Sequence, residues 1–155
     1  MRMRVILPLV LAAATMGIAA AQPADLSGSW HLNVRKSSWG SMNKPLSVVL
    51  EIVHKGPMLH YHGVVMYASE DTREFAFSGA VDGTSYAMSR SFGDGLITLR
   101  RIDVWTVEST FRTSDGLYVE TAQTTVARSG RTLTRRLRLQ APDGRKSWTE
   151  VYEKR

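Results

Sequence analysis

The chain has no cysteine among its 155 residues. That excludes disulfides, a thiol nucleophile, thiolate metal ligands and a lipid-modified cysteine anchor. A second absence is a long apolar run beyond residue 21. The longest later stretch, Leu46 to His54, is interrupted by Ser47 and Glu51, so no later segment reads as a membrane-spanning helix. A third is helical periodicity of useful length, and a fourth is the Gly-x-Ser-x-Gly elbow of serine hydrolases.

The first 21 residues carry Arg2 and Arg4, an apolar stretch from Val5, and a small-residue close at Ala19-Ala20-Ala21. This pattern reads as a secretory signal peptide, with export to the periplasm or the medium. Cleavage after Ala21 leaves 134 residues, enough for one β-barrel domain over residues 22–155 with a core of its own. Without Arg2 and Arg4, 18 basic residues stand against 14 acidic, a net charge of +4. Arg128, Arg131, Arg135, Arg136 and Arg138 crowd one segment. Strand alternation separates Arg135 from Arg136 and Arg138, and an exported chain does not meet nucleic acid, so no nucleic-acid partner is expected.

Turn chemistry punctuates the rest: Lys55-Gly56-Pro57, Asp82-Gly83, Asp94-Gly95, Asp115-Gly116, Ser129-Gly130 and Asp143-Gly144. Between these turns lie runs rich in Val, Thr, Leu, Tyr and Phe, which predict strands over 28–34, 46–54, 58–68, 73–80, 84–91, 95–101, 105–113, 117–127, 131–139 and 146–154. Leu46, Val48, Leu50 and Ile52 share one face, as do Phe75 with Phe77, and Leu133, Leu137 and Leu139. Consecutive short-linked strands form an antiparallel meander, and closure into a barrel removes its edges. The expected fold is therefore all-β, a single meander barrel of about ten strands.

With the strands in place, Gly28-Ser29-Trp30 and the closing Val151-Tyr152-Glu153-Lys154 resemble the lipocalin and wider calycin pattern. The resemblance implies that Trp30 plugs one end of the barrel behind Gly28, with Lys154 or Arg155 packed over it. The same two ends also resemble the fatty-acid-binding proteins, ten-stranded barrels of similar length. There the position two residues before the last-strand tyrosine is an arginine that helps hold a carboxylate; here it is Glu150. The link from Arg35 to Pro45 is also too short for that family's helical lid. A fuller likeness is to a family of small exported bacterial proteins of calycin-like kind. It is carried by Gly28-Ser29-Trp30-His31-Leu32-Asn33 with Lys36-Ser37, Arg101-Ile102-Asp103 with Thr106-Val107-Glu108, Ser129-Gly130-Arg131-Thr132-Leu133-Thr134, and Val151-Tyr152-Glu153-Lys154. These motifs are structural in kind and bring no activity with them.

Chemistry-bearing residues are few. His60 and His62 share one strand face and have the spacing to share a metal ion. A hairpin loop from Lys55 to Met58 sets Glu51 opposite His62; a loop one residue shorter sets Ile52 and Leu50 beside the histidines. The first register turns Leu59, Tyr61, Val65 and Tyr67 inward and leaves both histidines facing solvent, so neither a metal site nor a cofactor is expected. Asp103, Glu108, Glu120 and Glu150 lie on different strands with nothing to select a catalytic pair, and no catalytic residue is assigned.

The interior is the better candidate. Tyr61, Tyr86, Arg90 and Tyr152 are expected to face it and contact a small hydrophobic or amphipathic ligand. Arg90 either enters the barrel to meet an anionic group or ends its strand and reaches solvent. Two other readings stand beside the ligand-binding one. One is an envelope interaction or inhibitor module acting through the loop at residues 35–45, with Trp39 and Met42 outward. The other is a cofactor-free barrel enzyme.

Overall fold

The computed structural model describes residues 21–155, so all of the expected signal segment but Ala21 lies outside the described residues. The chain forms β1 (Gly28–Leu32), β2 (Ser47–Lys55), β3 (Met58–Met66), β4 (Thr72–Ala80), β5 (Ser85–Arg90), β6 (Gly95–Arg101), β7 (Thr106–Thr113), β8 (Val119–Val126), β9 (Thr132–Ala141) and β10 (Gly144–Lys154). Each strand pairs antiparallel with its chain neighbours, and β1 closes on β10, so the meander is a closed ten-stranded barrel. This is the architecture expected from the turn spacing, and it is consistent with a calycin-like fold. Among the described residues no helix is long and apolar enough to cross a membrane.

Local chemistry explains the turns. The Asp82 carboxylate accepts from the Thr84 backbone N–H at 2.9 Å, and Asp115 does the same for Leu117 at 2.9 Å, each closing an Asx-type turn. The β2–β3 hairpin turns on Gly56-Pro57, with Lys55 opposite Met58. That register sets Glu51 opposite His62 and Ile52 opposite Tyr61, which sends Tyr61 inward and leaves His60 and His62 exposed.

The two ends of the barrel differ. Across the lower end, residues 24–27 run from the β6–β7 turn to the end of β2: the Ala24 N–H donates to Val104 O at 2.7 Å, and Ser27 and His54 exchange bonds. Leu26 is buried beneath Trp30, whose indole N–H donates to Leu26 O at 2.9 Å. Trp30, Leu50, Leu133 and Tyr152 are fully buried and make this half solid. Lys154 stands opposite Trp30 on β10, with its ammonium 5.2 Å from the indole centroid, a cation–π contact. Gly28 has φ 142°, and the Lys154 stem occupies the place where a side chain at 28 would go. Only glycine meets both conditions without strain.

At the upper end, residues 33–46 leave β1 and fold back over the opening. Ser38 and Thr149 exchange backbone hydrogen bonds at 2.8 Å, which extends the β10 edge past the end of β1. Trp39 and Met42 then pack against Ala122, Leu137 and Trp148. The expectation of an outward-reaching loop at 35–45 is corrected here: its two large apolar side chains turn in and roof the barrel. The physical reason is burial, since Leu137 and Trp148 otherwise present apolar surface at the open mouth.

Candidate functional site

Side chains alternate along each strand, so β9 sends Leu133, Arg135, Leu137 and Leu139 inward and β10 sends Trp148, Glu150 and Tyr152. The β9–β10 register sets Arg135 directly opposite Glu150. Their ion pair is 3.1 Å long, with side chains 11% and 10% exposed. A charge pair this deep persists only if its remaining bonding capacity is also met. On the Glu150 side both oxygens are engaged, one taking the Trp148 indole N–H at 2.8 Å and the other the Tyr152 hydroxyl at 2.7 Å and Arg135. Position 150, an arginine in fatty-acid-binding proteins, is thus a carboxylate with its arginine supplied from the neighbouring strand.

A second pair spans the interior. Arg90 on β5 lies 3.2 Å from Glu120 on β8, with side chains 11% and 14% exposed. The Arg90 guanidinium sits 4.5 Å from the Phe111 ring centroid and 4.6 Å from that of Phe92. Of the two readings of Arg90, the inward one describes this geometry. At the rim, Arg73 pairs with Asp71 at 2.9 Å.

These pairs form a polar belt between two spaces. Above it, beneath residues 39–45, is a cavity of about 370 Å³ with apolar walls that include Trp39, Met42, Val65, Phe75, Leu137 and Trp148. Its volume falls within the range of small-molecule pockets. Below the belt is a void of about 40 Å³, bordered by Tyr61, Phe77, Ile97, Ser109 and Thr124. Arg135 and Glu120 border both spaces.

Among the described residues, four buried side-chain polar atoms have no hydrogen-bond partner: Trp39 Nε1, Tyr61 Oη, Arg90 Nε and Arg135 Nε. All four residues line one of the two spaces. Burial pushes the Tyr61 phenol up to about 12 despite the Arg135 charge nearby, so it stays protonated at neutral pH and can donate. Burial, and then the Glu150 carboxylate, push Tyr152 well above the ordinary tyrosine value. Burial opposes the charge on Arg135, but Tyr61 and Glu150 outweigh it and raise its pKa.

The residues expected to contact a ligand are therefore not all together. Arg90 lines the upper cavity and Tyr61 the void beneath it. Tyr152 is fully buried and acts on Glu150. Tyr86 lines neither space: its ring packs on Gly79 and its hydroxyl donates to Asp82 at 2.7 Å, out at the hairpin. The histidines do not converge with Glu51. His60 bonds Ser78 at 2.8 Å, His62 bonds Glu74 at 3.3 Å, and Glu51 takes the Ser29 hydroxyl.

Sequence reasoning missed Arg135 and Glu120 as interior charges and Trp39 and Trp148 as cavity walls. Arg135 carried a signal, since it fills the gap in the inward series Leu133, Leu137, Leu139. Glu150 carried one too, between Trp148 and Tyr152 on one strand face. No protein-family model matches the chain, and no curated protein matches it.

Proposed function

We propose that the protein is an exported binding protein that holds a small, partly apolar molecule in the upper cavity. The single observation that carries this reading is the cavity of about 370 Å³ itself, apolar on its walls and lined in part by residues with partnerless polar groups, inside a closed barrel. Sites for small molecules have this make-up: a mostly hydrophobic enclosure with a few placed polar atoms. Export follows from the basic and apolar pattern of residues 1–21, and the likeness to small exported calycin-like barrels supports it.

Two features favour holding over the other readings. Trp39 and Met42 pack inward and are half-buried, which leaves the 35–45 segment little apolar surface to offer an outside partner. Glu120 and Glu150, the carboxylates that face the cavity, are each engaged by an arginine, an arrangement suited to a fixed polar floor rather than to proton transfer.

Mass spectrometry of organic extracts from the purified protein, with thermal melts across a panel of lipids, aromatic acids and isoprenoids, tests the reading. A co-purified amphiphile, or a rise in Tm with one compound class, is expected. A ligand at a hundred times its Kd raises stability by about 2.7 kcal/mol. Clean extracts together with an unmoved Tm across the panel contradict the reading.

A further inference from the structure

Every arginine that lines the upper cavity already has its own carboxylate. Arg73 is paired with Asp71, Arg90 with Glu120 and Arg135 with Glu150. The lining is rich in charge, yet among the described residues it holds no unneutralised cation to receive an anion. Hydrogen bonding is not balanced in the same way. Glu150 accepts through both oxygens and Glu120 through one, whereas the buried partnerless atoms of the lining residues, Trp39 Nε1, Arg90 Nε and Arg135 Nε, are all donors. Tyr61 Oη, beneath the belt, adds a hydroxyl.

We propose that the cavity selects an uncharged molecule, an apolar body bearing carbonyl- or ether-type oxygens that accept from Trp39 Nε1 and from the Nε–H groups of Arg90 and Arg135. The inference rests on the binding reading above and narrows it to one chemical class. A buried N–H without a partner carries its full desolvation cost, which an acceptor oxygen removes. An alkylammonium brings further donors and a charge and relieves none of these groups. A carboxylate offers acceptors, but it must shed its hydration beside Glu120 and Glu150 with no free cation in return. An ester, ketone, quinone or lactone offers the acceptors without that cost.

Trp39 and Trp148 in the cavity wall make intrinsic fluorescence a direct readout. The full chain is titrated with decane, methyl decanoate, decanoate and decylammonium, matched in chain length and differing in the head. Methyl decanoate is expected to bind tightest, by roughly tenfold over decane and over decanoate, with decylammonium weakest. Decanoate or decylammonium binding as tightly as the ester overturns the inference and leaves the cavity reading standing. Decane equal to the ester overturns it as well, since the donors then contribute nothing. No binding by any of the four overturns the cavity reading and this inference together.

Glu120→Gln supplies a second, independent arm. It leaves the Arg90 charge unneutralised, so the affinity for decanoate relative to methyl decanoate should rise about tenfold. An unchanged ratio in the folded variant contradicts the role given to paired charge. The wild-type series decides the matter by itself where the variant folds poorly.

Discussion

Glu150 is the residue on which the interior depends. Two oxygens and three donors, one of them a buried arginine, make one network, and each member removes a cost that another would otherwise carry. Replacing Glu150 by Leu strands the Arg135 charge, and urea unfolding should register a loss of about 3–5 kcal/mol. Arg135→Met together with Glu150→Leu removes both charges and should recover the part of that loss owed to the stranded charge, leaving the cost of the freed Trp148 N–H and Tyr152 hydroxyl. A double variant as unstable as the two single losses combined would show that the pair is not coupled. The tyrosines beside this network make a second prediction. The folded state holds the Tyr61 and Tyr152 protons more tightly than the unfolded chain, where a tyrosine titrates near 10. Their contribution to stability is therefore complete below pH 10; that of Tyr61 is lost as pH rises through about 12, and that of Tyr152 is lost likewise as pH rises through its own raised value. Alkaline titration followed by tyrosinate absorbance should show both phenols ionising together with unfolding; free titration of all tyrosines near pH 10 in the folded protein would contradict their burial. The strand parity of Glu150 was legible in the sequence, but its partner was not, because the pairing with Arg135 depends on the β9–β10 register.

At the scale of elements, the strands were readable because alternating apolar faces and Asp-Gly turns repeat one message at every hairpin. Their ends differ from expectation by one or two residues, as in the last hairpin, where pairing continues to Ala141 and Gly144. The segment at 33–46 was not readable. Trp39 and Met42 stand in irregular chain with no period to reveal their facing, and what draws them in is apolar surface contributed by β8, β9 and β10. This segment is tied down at its first half: Ser37 Oγ donates to Asn33 O at 2.8 Å and accepts from the Val151 N–H at 3.0 Å. Gly40 then turns the chain with φ 55°, and a Cβ there would lie 2.7 Å from the Ser147 carbonyl oxygen. Gly40→Ala should cost about 1–2 kcal/mol from backbone strain alone. Because that carbonyl cannot yield, the variant should also lift Trp39 from Trp148 and weaken ligand binding. Binding at wild-type strength in the folded variant would show that the roof is not part of the site.

The whole molecule is a barrel with one solid end and one hollow end. Trp30, Leu26 and Tyr152 fill the lower half, where the N-terminal segment crosses; the upper half keeps its cavity because arginine–glutamate pairs, rather than interdigitated aliphatic side chains, occupy the middle layer. The closed meander was legible from turn spacing and from the matched ends of the chain. The hollow was not, since Arg90 and Glu120 belong to strands that meet only across the interior, and no local pattern in a sequence reports that distance. The same asymmetry sets the four tryptophans apart: Trp39 and Trp148 line the cavity, whereas Trp30 plugs the lower end and Trp105 packs against the core there. The most direct test is to follow the four indole N–H resonances by NMR while methyl decanoate is added to the full chain. The Trp39 and Trp148 signals should shift and the Trp30 and Trp105 signals should stay in place; shifts confined to Trp30 and Trp105, or none at saturating ester, would contradict a binding site in the upper cavity.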